Sequence, residues 1–209
     1  MLETIGLNFF AIEKSVIFSP QECKDIIKNA ERLGFTETQV NKFGKEFNDP
    51  NIRSDKNVSI SDPYLANTIL SRITPFLPTN QTFTINTNLR YSKYEKGNVC
   101  NPHCDTPFVE SNGTDDIQCT VMLYLNTPTN GGATRLFNVE TMQHIDILPE
   151  TGKILIFDQR TPHAGLPSGD LKYTVRTDIY PYTPPPPITS AHRRRNGDNT
   201  TRGRMMVFD

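Results

Sequence analysis

The segment NPHCDTP, residues 101–107, contains two side chains that could bind a metal ion. His103 and Asp105 are two residues apart, so on an extended strand they point to the same side and face the same space. One imidazole and one carboxylate do not hold a transition metal firmly, and a third ligand is therefore required. A polar surface turn is the alternative interpretation, because an isolated His-x-Asp pair is common.

The third ligand has few sources, since the chain contains only 4 histidines. His192 lies in an arginine-rich segment near the C-terminus, and His144 follows a likely turn and begins a strand. His163 closely follows the apolar segment KILIFD, and a strand end that faces a cavity suits a ligand. Two histidines and one carboxylate leave three octahedral positions open, which is the arrangement of non-haem Fe(II) oxygenases.

The cysteines offer a second, weaker source of metal ligands. None of the 4 cysteines forms a C-x-x-C pair, and no export signal precedes them. A reduced cytosolic state is therefore expected. Cys100 and Cys104, which flank His103, stay open as metal ligands or as a disulfide pair.

Two helices are predicted in the first part of the chain. The segment SPQE at 19–22 has a capping serine, a proline and acidic or amide residues, and this helix ends at Gly34. Asp62 and Pro63 begin the second helix in the same manner. Residues 36–57 between the two helices are polar and are predicted to be irregular.

From residue 82 the apolar pattern changes to a period of two, which predicts strands. The later strand segments are 118–126, 133–139, 144–148, 153–158 and 172–180. Helices followed by antiparallel strands indicate an α+β protein whose sheets form a sandwich or barrel. Within 118–126, Val121 and Leu123 share one face, and Tyr124 lies on the other face, which points into the barrel.

Composition and charge limit the partners and the location of the protein. The formal net charge is −1, so no overall field favours nucleic acid. No apolar run is long enough to span a membrane and no signal peptide is present, so a cytoplasmic protein without a membrane partner is expected. Residues 183–209 are predicted to be a Pro/Arg-rich tail after a domain at 1–182. The arginines of that tail are the one candidate contact with nucleic acid.

The chain resembles the Fe(II)/2-oxoglutarate-dependent dioxygenases, specifically the prolyl 4-hydroxylase-like group. The matching blocks are IFSPQECKDIIKNAE, NLRYSKYEKGNVCNPHCDTPF, QCTVMLYLNTPTNGGATRLF and FDQRTPHAG. The resemblance implies a double-stranded β-helix, or jelly roll, at about 82–182, with a helical part at about 1–80 packed on one sheet. It also implies His103, Asp105 and His163 as ligands of Fe(II).

The resemblance further implies 2-oxoglutarate and O₂ as co-substrates, with ascorbate as the reductant. The C5 carboxylate of 2-oxoglutarate needs a buried cation, because a desolvated carboxylate is costly unless it is paired. Lys172 has the family spacing after His163, whereas Arg176 offers a bidentate fork, and both stay open. Tyr124 and Tyr94 match tyrosines that line the same cavity in the family.

The implied reaction is hydroxylation of a C–H bond, most simply of a peptidyl proline, as 2-oxoglutarate is converted to succinate. Arg90 and Arg160 are candidate substrate contacts, and residues 36–57 and 106–116 are candidate lids over a protein or peptide substrate. Two alternatives stay open. One is an oxygenase of the same superfamily that acts on a small molecule, a free amino acid or nucleic acid, and the other is a non-catalytic jelly-roll metal-binding module.

Overall fold

The structure, a computed structural model, describes residues 11–42, 45–105, 118–138 and 140–182. The candidate lid at 106–116 and the predicted tail at 183–209 lie outside the described residues, as do positions 43–44 of the other candidate lid. Within the described ranges, no helix is both long and apolar enough to cross a membrane.

Two helices form where the sequence predicts them. They are α1 (Pro20–Leu33) and α2 (Pro63–Ile73), and a short 3₁₀ turn (Thr74–Phe76) follows α2. The Ser19 side chain accepts a hydrogen bond from the Glu22 N–H, and the Glu22 carboxylate accepts one from the Ser19 N–H. The Asp62 side chain caps α2 in a similar way. These caps satisfy backbone donors that the first helical turn leaves unpaired.

Eight antiparallel strands form a major sheet. They are β1 (Ala11–Lys14), β2 (Thr36–Glu37), β5 (Lys56–Ser61), β6 (Phe83–Ile85), β7 (Asn88–Tyr94), β9 (Cys119–Tyr124), β12 (Ile154–Asp158) and β14 (Lys172–Pro181). The strand order is β1-β12-β9-β14-β7-β5-β2, and β6 pairs with the distal part of β14. The long strand β14 therefore lies at the centre of this sheet, between β9 and β7.

Four short strands form a minor sheet. They are β8 (Cys100–His103), β10 (Thr134–Phe137), β11 (His144–Ile147) and β13 (His163–Gly165), in the order β11-β10-β13-β8. A separate hairpin consists of β3 (Val40–Lys42) and β4 (Lys45–Phe47). The two sheets form the double-stranded β-helix core, as the resemblance implies.

The faces of β9 divide the core in two. Val121 and Leu123 belong to the larger apolar cluster, which also contains buried residues of both helices. The helices therefore pack on the major sheet, as predicted. Tyr124 faces the opposite way and packs in a smaller cluster with Leu136 of the minor sheet and Phe157 of the major sheet. This second cluster joins the two sheets.

Two predictions for the first part of the chain are wrong. Residues 36–57 are not irregular throughout, because they contain β2, β3, β4 and the start of β5. The part before residue 80 is not purely helical either, since it also contributes β1. These strands have two to six residues, so their apolar alternation is too short to be recognised. β1 and β5 pair with the more distant strands β12 and β7, and β3 pairs with β4.

Candidate metal centre

The three predicted ligands come together at one end of the minor sheet. His103 ends β8, His163 begins β13, and the two residues lie directly opposite each other in the antiparallel pair. Asp105 follows β8, where its N–H donates to the Gln159 carbonyl at 3.1 Å. One ligand atom from each of His103, Asp105 and His163 lies within 4.8 Å of the others. The structure thus brings the His-x-Asp pair and His163 to one point.

Backbone hydrogen bonds orient both imidazoles. His103 Nδ1 lies 2.9 Å from the Asn101 carbonyl, and His163 Nδ1 lies 3.0 Å from the Thr161 carbonyl. A carbonyl can only accept, so each Nδ1 carries the proton and each Nε2 presents a lone pair. These Nε2 atoms lie 3.8 and 3.7 Å from the Asp105 carboxylate oxygens. Such outer hydrogen bonds fix the ring orientation that metal ligation requires.

The charge states of the buried ligands also suit a metal. Burial lowers the pKa of His163 to about 4, although Asp105 opposes the effect, so the ring is neutral at pH 7. Burial opposes ionisation of Asp105, but Arg176 and His163 hold the pKa of its carboxyl below the usual value. Thr120 donates a hydrogen bond of 2.6 Å to Asp105 Oδ2. A neutral imidazole and an ionised carboxylate are the forms that bind metals.

The donor set fits Fe(II) better than a closed structural zinc site. A structural zinc needs four protein ligands, and the described residues supply one group of three. Both nearby cysteines are free thiols. Cys100 Sγ lies 3.7 Å from His103 Nδ1, on the ring nitrogen turned away from Asp105, and Cys104 Sγ donates to the Arg160 carbonyl. Three ligands with open positions are typical of iron oxygenases.

The triad lies in a cavity between the two sheets. The space not filled by protein atoms is about 490 Å³, including the part that is open to solvent. Side chains from both sheets line it, among them Tyr94 and Lys172 beside the three ligands. On the paired strands β7 and β14, Lys172 lies opposite Tyr94, and Arg176 lies opposite Arg90. The four positions define two levels of the cavity, which are about 13 Å apart along the strand.

Lys172 is the buried cation at the level away from the triad. Its side chain is 2% exposed, its Nζ donates to the Gly132 carbonyl at 2.9 Å, and it lies 4.0 Å from the centre of the Tyr94 ring. Burial lowers the pKa of Lys172 to about 8. No carboxylate among the described residues forms an ion pair with it. A buried ammonium without a counter-ion suits a carboxylate ligand.

Arg176 lies beside the triad and is already paired. Its Nη1 lies 3.2 Å from Asp105 Oδ1, and its Nη2 lies 3.0 Å from Asp178 Oδ1. Arg176 therefore neutralises a candidate metal ligand. This role could not be predicted from residue spacing, because the pairing depends on how β14 faces the end of β8.

The remaining predicted contacts lie in different places. The Tyr124 hydroxyl donates to Thr134 Oγ1 at 2.7 Å, and Thr134 in turn lines the cavity. Arg90 lines the cavity at the level of the triad. Arg160 is not among the cavity-lining side chains, and its guanidinium pairs with Asp158 at 2.6 Å.

Several further side chains of the site were not predicted from the sequence, and three of them bear on the candidate ligands or the cavity charge. They are Thr120, Thr134 and Arg53. Thr120 could have been found, because it shares a face of β9 with Tyr124. Arg53 gave no comparable signal, since it belongs to the segment that was predicted to be irregular.

Comparison with known proteins agrees with this geometry. Residues 89–178, which contain all three candidate ligands, match the family model of the 2OG-Fe(II) oxygenase superfamily. No curated protein matches the chain at a significant level.

Several solved structures share the fold. A viral collagen prolyl hydroxylase from Paramecium bursaria Chlorella virus-1 gives a TM-score of 0.60 at 19% identity, covering 81% of this chain and 95% of that chain. A Trichoplax adhaerens prolyl hydroxylase, in complex with a peptide of the hypoxia inducible factor oxygen degradation domain, gives a TM-score of 0.64 at 21% identity, covering 82% of this chain and 83% of that chain. A Pseudomonas putida prolyl-4-hydroxylase gives a TM-score of 0.58 at 18% identity, covering 84% of this chain and 94% of that chain. At these identities the likeness shows the fold.

Proposed function

This chain belongs to the 2OG-Fe(II) oxygenase superfamily, and from that premise we propose that His103, Asp105 and His163 hold the ferrous ion. The observation that carries the proposal is the convergence of two Nε2 lone pairs and one ionised carboxylate at the end of a cavity. Thr120 and Arg176 hold Asp105 in place through its two oxygens.

We propose Lys172 as the residue that binds the C5 carboxylate of 2-oxoglutarate. A diacid that chelates the metal through one end would extend its other carboxylate deeper into the cavity, where Lys172 forms no ion pair with any of the described residues. Arg176 is the weaker candidate because Asp105 and Asp178 already occupy its guanidinium. Tyr94 lies against the Lys172 ammonium, and the pair of Tyr124 and Thr134 supplies hydroxyl groups on the adjacent wall.

The protein's part in the reaction is positioning and exclusion of water. Bound iron, with 2-oxoglutarate and O₂, would supply the oxidising chemistry: one oxygen atom of O₂ would enter a C–H bond, and the other would enter the succinate that forms as CO₂ is released. The two imidazoles keep their Nδ1 protons on backbone carbonyls, so each ring ligates without a change of tautomer. Met122 and Ala164 supply apolar surface to the cavity wall and limit water there.

A peptidyl proline is the proposed substrate. Support comes from three neighbours in fold that are prolyl hydroxylases by name, one of them solved with a peptide. The cavity is partly open to solvent at its surface, which suits a side chain presented by a peptide.

The test is 2-oxoglutarate turnover with a panel of proline-containing peptides. Purified protein with Fe(II), 2-oxoglutarate and ascorbate should release succinate, and one peptide class should gain the mass of one oxygen atom at proline. His163→Ala should abolish both products, whereas His144→Ala, an exposed histidine of β11, should leave them unchanged. Turnover by His163→Ala would contradict the metal assignment. Succinate release without any oxidised proline would contradict the substrate alone.

A further inference from the structure

Four cationic side chains line the cavity, and their pairing differs. Arg53 forms a two-point contact with the buried carboxylate of Asp55. Arg176 contacts Asp105 and Asp178, and Lys172 is the proposed partner of the C5 carboxylate of 2-oxoglutarate. Arg90 is the fourth cation, and none of the described residues gives it a hydrogen bond or an ion pair.

Arg90 lies in a part of the cavity that favours an added anion. The side chain is half-buried, and burial together with the nearby positive charges of Arg53 and Arg176 lowers its pKa from the usual value, although Asp55 and Asp105 oppose this shift. An arginine remains charged under these conditions because its pKa is so high. The guanidinium is therefore partly desolvated and lies near two other cations, so an anion that paired with it would be stabilised.

The position of Arg90 indicates which anion it meets. Arg90 lies opposite Arg176, at the level of the candidate iron ligands, whereas Lys172 lies opposite Tyr94, four residues earlier at the start of β14. A 2-oxoglutarate molecule that extends from the metal to Lys172 directs its C5 carboxylate away from Arg90. An anion beside Arg90 therefore belongs to the molecule that is oxidised next to the metal.

We propose that Arg90 binds a carboxylate of the substrate, so that the enzyme selects substrates with a carboxylate close to the oxidised carbon. The proposal rests on the function proposed above and specifies its substrate class. A guanidinium binds a carboxylate through two parallel hydrogen bonds, which fixes orientation as well as charge. The carboxylate has two sources, either an acidic side chain next to the proline of a peptide or the α-carboxylate of free proline.

Binding to the Mn(II)- and 2-oxoglutarate-loaded protein tests the proposal without turnover. Calorimetry would compare matched acid and amide ligands, namely Pro-Glu against Pro-Gln in blocked peptides and L-proline against L-prolinamide. The wild type should bind the acid of at least one pair about tenfold or more tightly than its amide, as expected for a hydrogen-bonded charge pair. The pair that discriminates identifies the source of the carboxylate.

Two variants of Arg90 test whether its side chain causes the preference for the acid over the amide. Arg90→Gln should remove the discrimination between acid and amide and leave 2-oxoglutarate affinity within about twofold, while Arg90→Lys should restore part of the preference. Lys93→Gln is the matched control, because it also removes a positive charge from β7. The Lys93 ammonium pairs with Glu31, and Lys93 is not among the side chains that line the cavity. Lys93→Gln should keep the wild-type preference.

Three outcomes would overturn the inference while the proposed function stands. In the first outcome, the wild type binds neither acid more tightly than the matching amide, and this result can be observed without any variant. Arg90→Gln could keep the full preference, or it could lose 2-oxoglutarate binding, which would assign Arg90 to the co-substrate. Failure of the wild type to bind Mn(II) or 2-oxoglutarate is a different result, and it would overturn the proposed function itself.

Discussion

At the scale of single residues, the proposed binding of 2-oxoglutarate depends on one buried ammonium, Lys172, whose pKa is lowered by burial. Lys172 ordinarily has a pKa of 10.5, and burial lowers it to about 8 in the folded protein. Asp55 and Cys100 oppose this shift, while Arg53 adds to it. The protonated form, which is the form proposed to bind a carboxylate, therefore becomes a minority form above about pH 8.

The affinity for 2-oxoglutarate should consequently fall as the pH rises. Above about pH 8, binding must first protonate Lys172, so the Kd of 2-oxoglutarate should increase about tenfold per pH unit. Lys172→Arg keeps its charge throughout and should show a nearly flat profile from pH 7 to about 9. Calorimetry of the Mn(II)-loaded protein would measure both profiles. Parallel profiles for the two proteins would rule out Lys172 as the titrating group.

Thr120 should tune metal affinity without touching the metal. Its hydroxyl donates to Asp105 Oδ2, so Thr120→Val removes one support of a ligand and should weaken Fe(II) or Mn(II) binding about tenfold or more. Thr177→Val is the control, because that hydroxyl is also buried and hydrogen-bonded but donates to the Asn86 carbonyl. Metal titrations that give equal Kd values for the two variants would refute the prediction.

Residue types, spacing and the family resemblance predicted the three candidate metal ligands, but not the side chains that hold those ligands in place. His103 and Asp105 could be recognised because a separation of two places both on one side of a strand. The choice between Lys172 and Arg176 could not be made, since spacing says nothing of which carboxylates each cation meets in the fold. Asp105 and Asp178 engage Arg176, and this contact joins parts of the chain that are distant in sequence.

At the scale of elements, a glycine turn joins the segment before α1 to the start of β12. Gly152 has φ +81, and its carbonyl accepts hydrogen bonds from the N–H groups of Ile17 and Phe18 at 2.9 and 3.2 Å. A Cβ at this position would overlap the Phe18 carbonyl. The turn therefore requires glycine for its conformation and for the close approach of another backbone segment.

Gly152→Ala should be one of the more destabilising single changes in the chain. Backbone strain and overlap together should lower the free energy of unfolding by about 3–4 kcal/mol. Gly97→Ala is the matched control, because Gly97 has φ +82 but nothing within 4 Å of its Cβ position, so only the strain of about 1–2 kcal/mol should remain. Urea unfolding would measure both values. Equal losses would show that the overlap with Phe18 is relieved at no cost.

Helices and long strands were the elements that the sequence predicted well. Capping residues such as Ser19 and Asp62 mark helix starts through local hydrogen bonds, which depend only on neighbouring residues. Strands β1 and β2 form because β12 and β5 of the major sheet are available to pair with them. The residues within β1 and β2 do not indicate this pairing. The strand β12 was predicted at 153–158 although all of its residues are buried, because a short apolar run between turn signals also indicates a strand.

At the scale of the whole molecule, the site lies between two sheets. Among the described residues, one small apolar cluster, which contains Tyr124, Leu136 and Phe157, packs between these sheets. His103 and His163 belong to the minor sheet, and Lys172 and Arg176 belong to the major sheet. Ligands bound between them would contact both sheets in the folded state alone. Binding should therefore raise stability by mass action.

Metal and 2-oxoglutarate should accordingly raise the melting temperature. At about a hundred times the Kd, the gain is about 2.7 kcal/mol, which corresponds to about 5–10 °C for a protein of this size. Differential scanning fluorimetry with Mn(II) and 2-oxoglutarate would measure it. His163→Ala should show no gain and His144→Ala the full gain. An equal rise in both variants would place the ligands elsewhere.

The direct pairing of His103 with His163 has one more consequence, for the lifetime of the protein. An ion shared by these residues links two parts of the chain that are distant in sequence, and it does so in the folded state alone. Removing the ion therefore raises the fraction of unfolded molecules, and proteases degrade that fraction. The abundance of this enzyme would then follow the supply of ferrous iron through degradation, independently of any control over its synthesis.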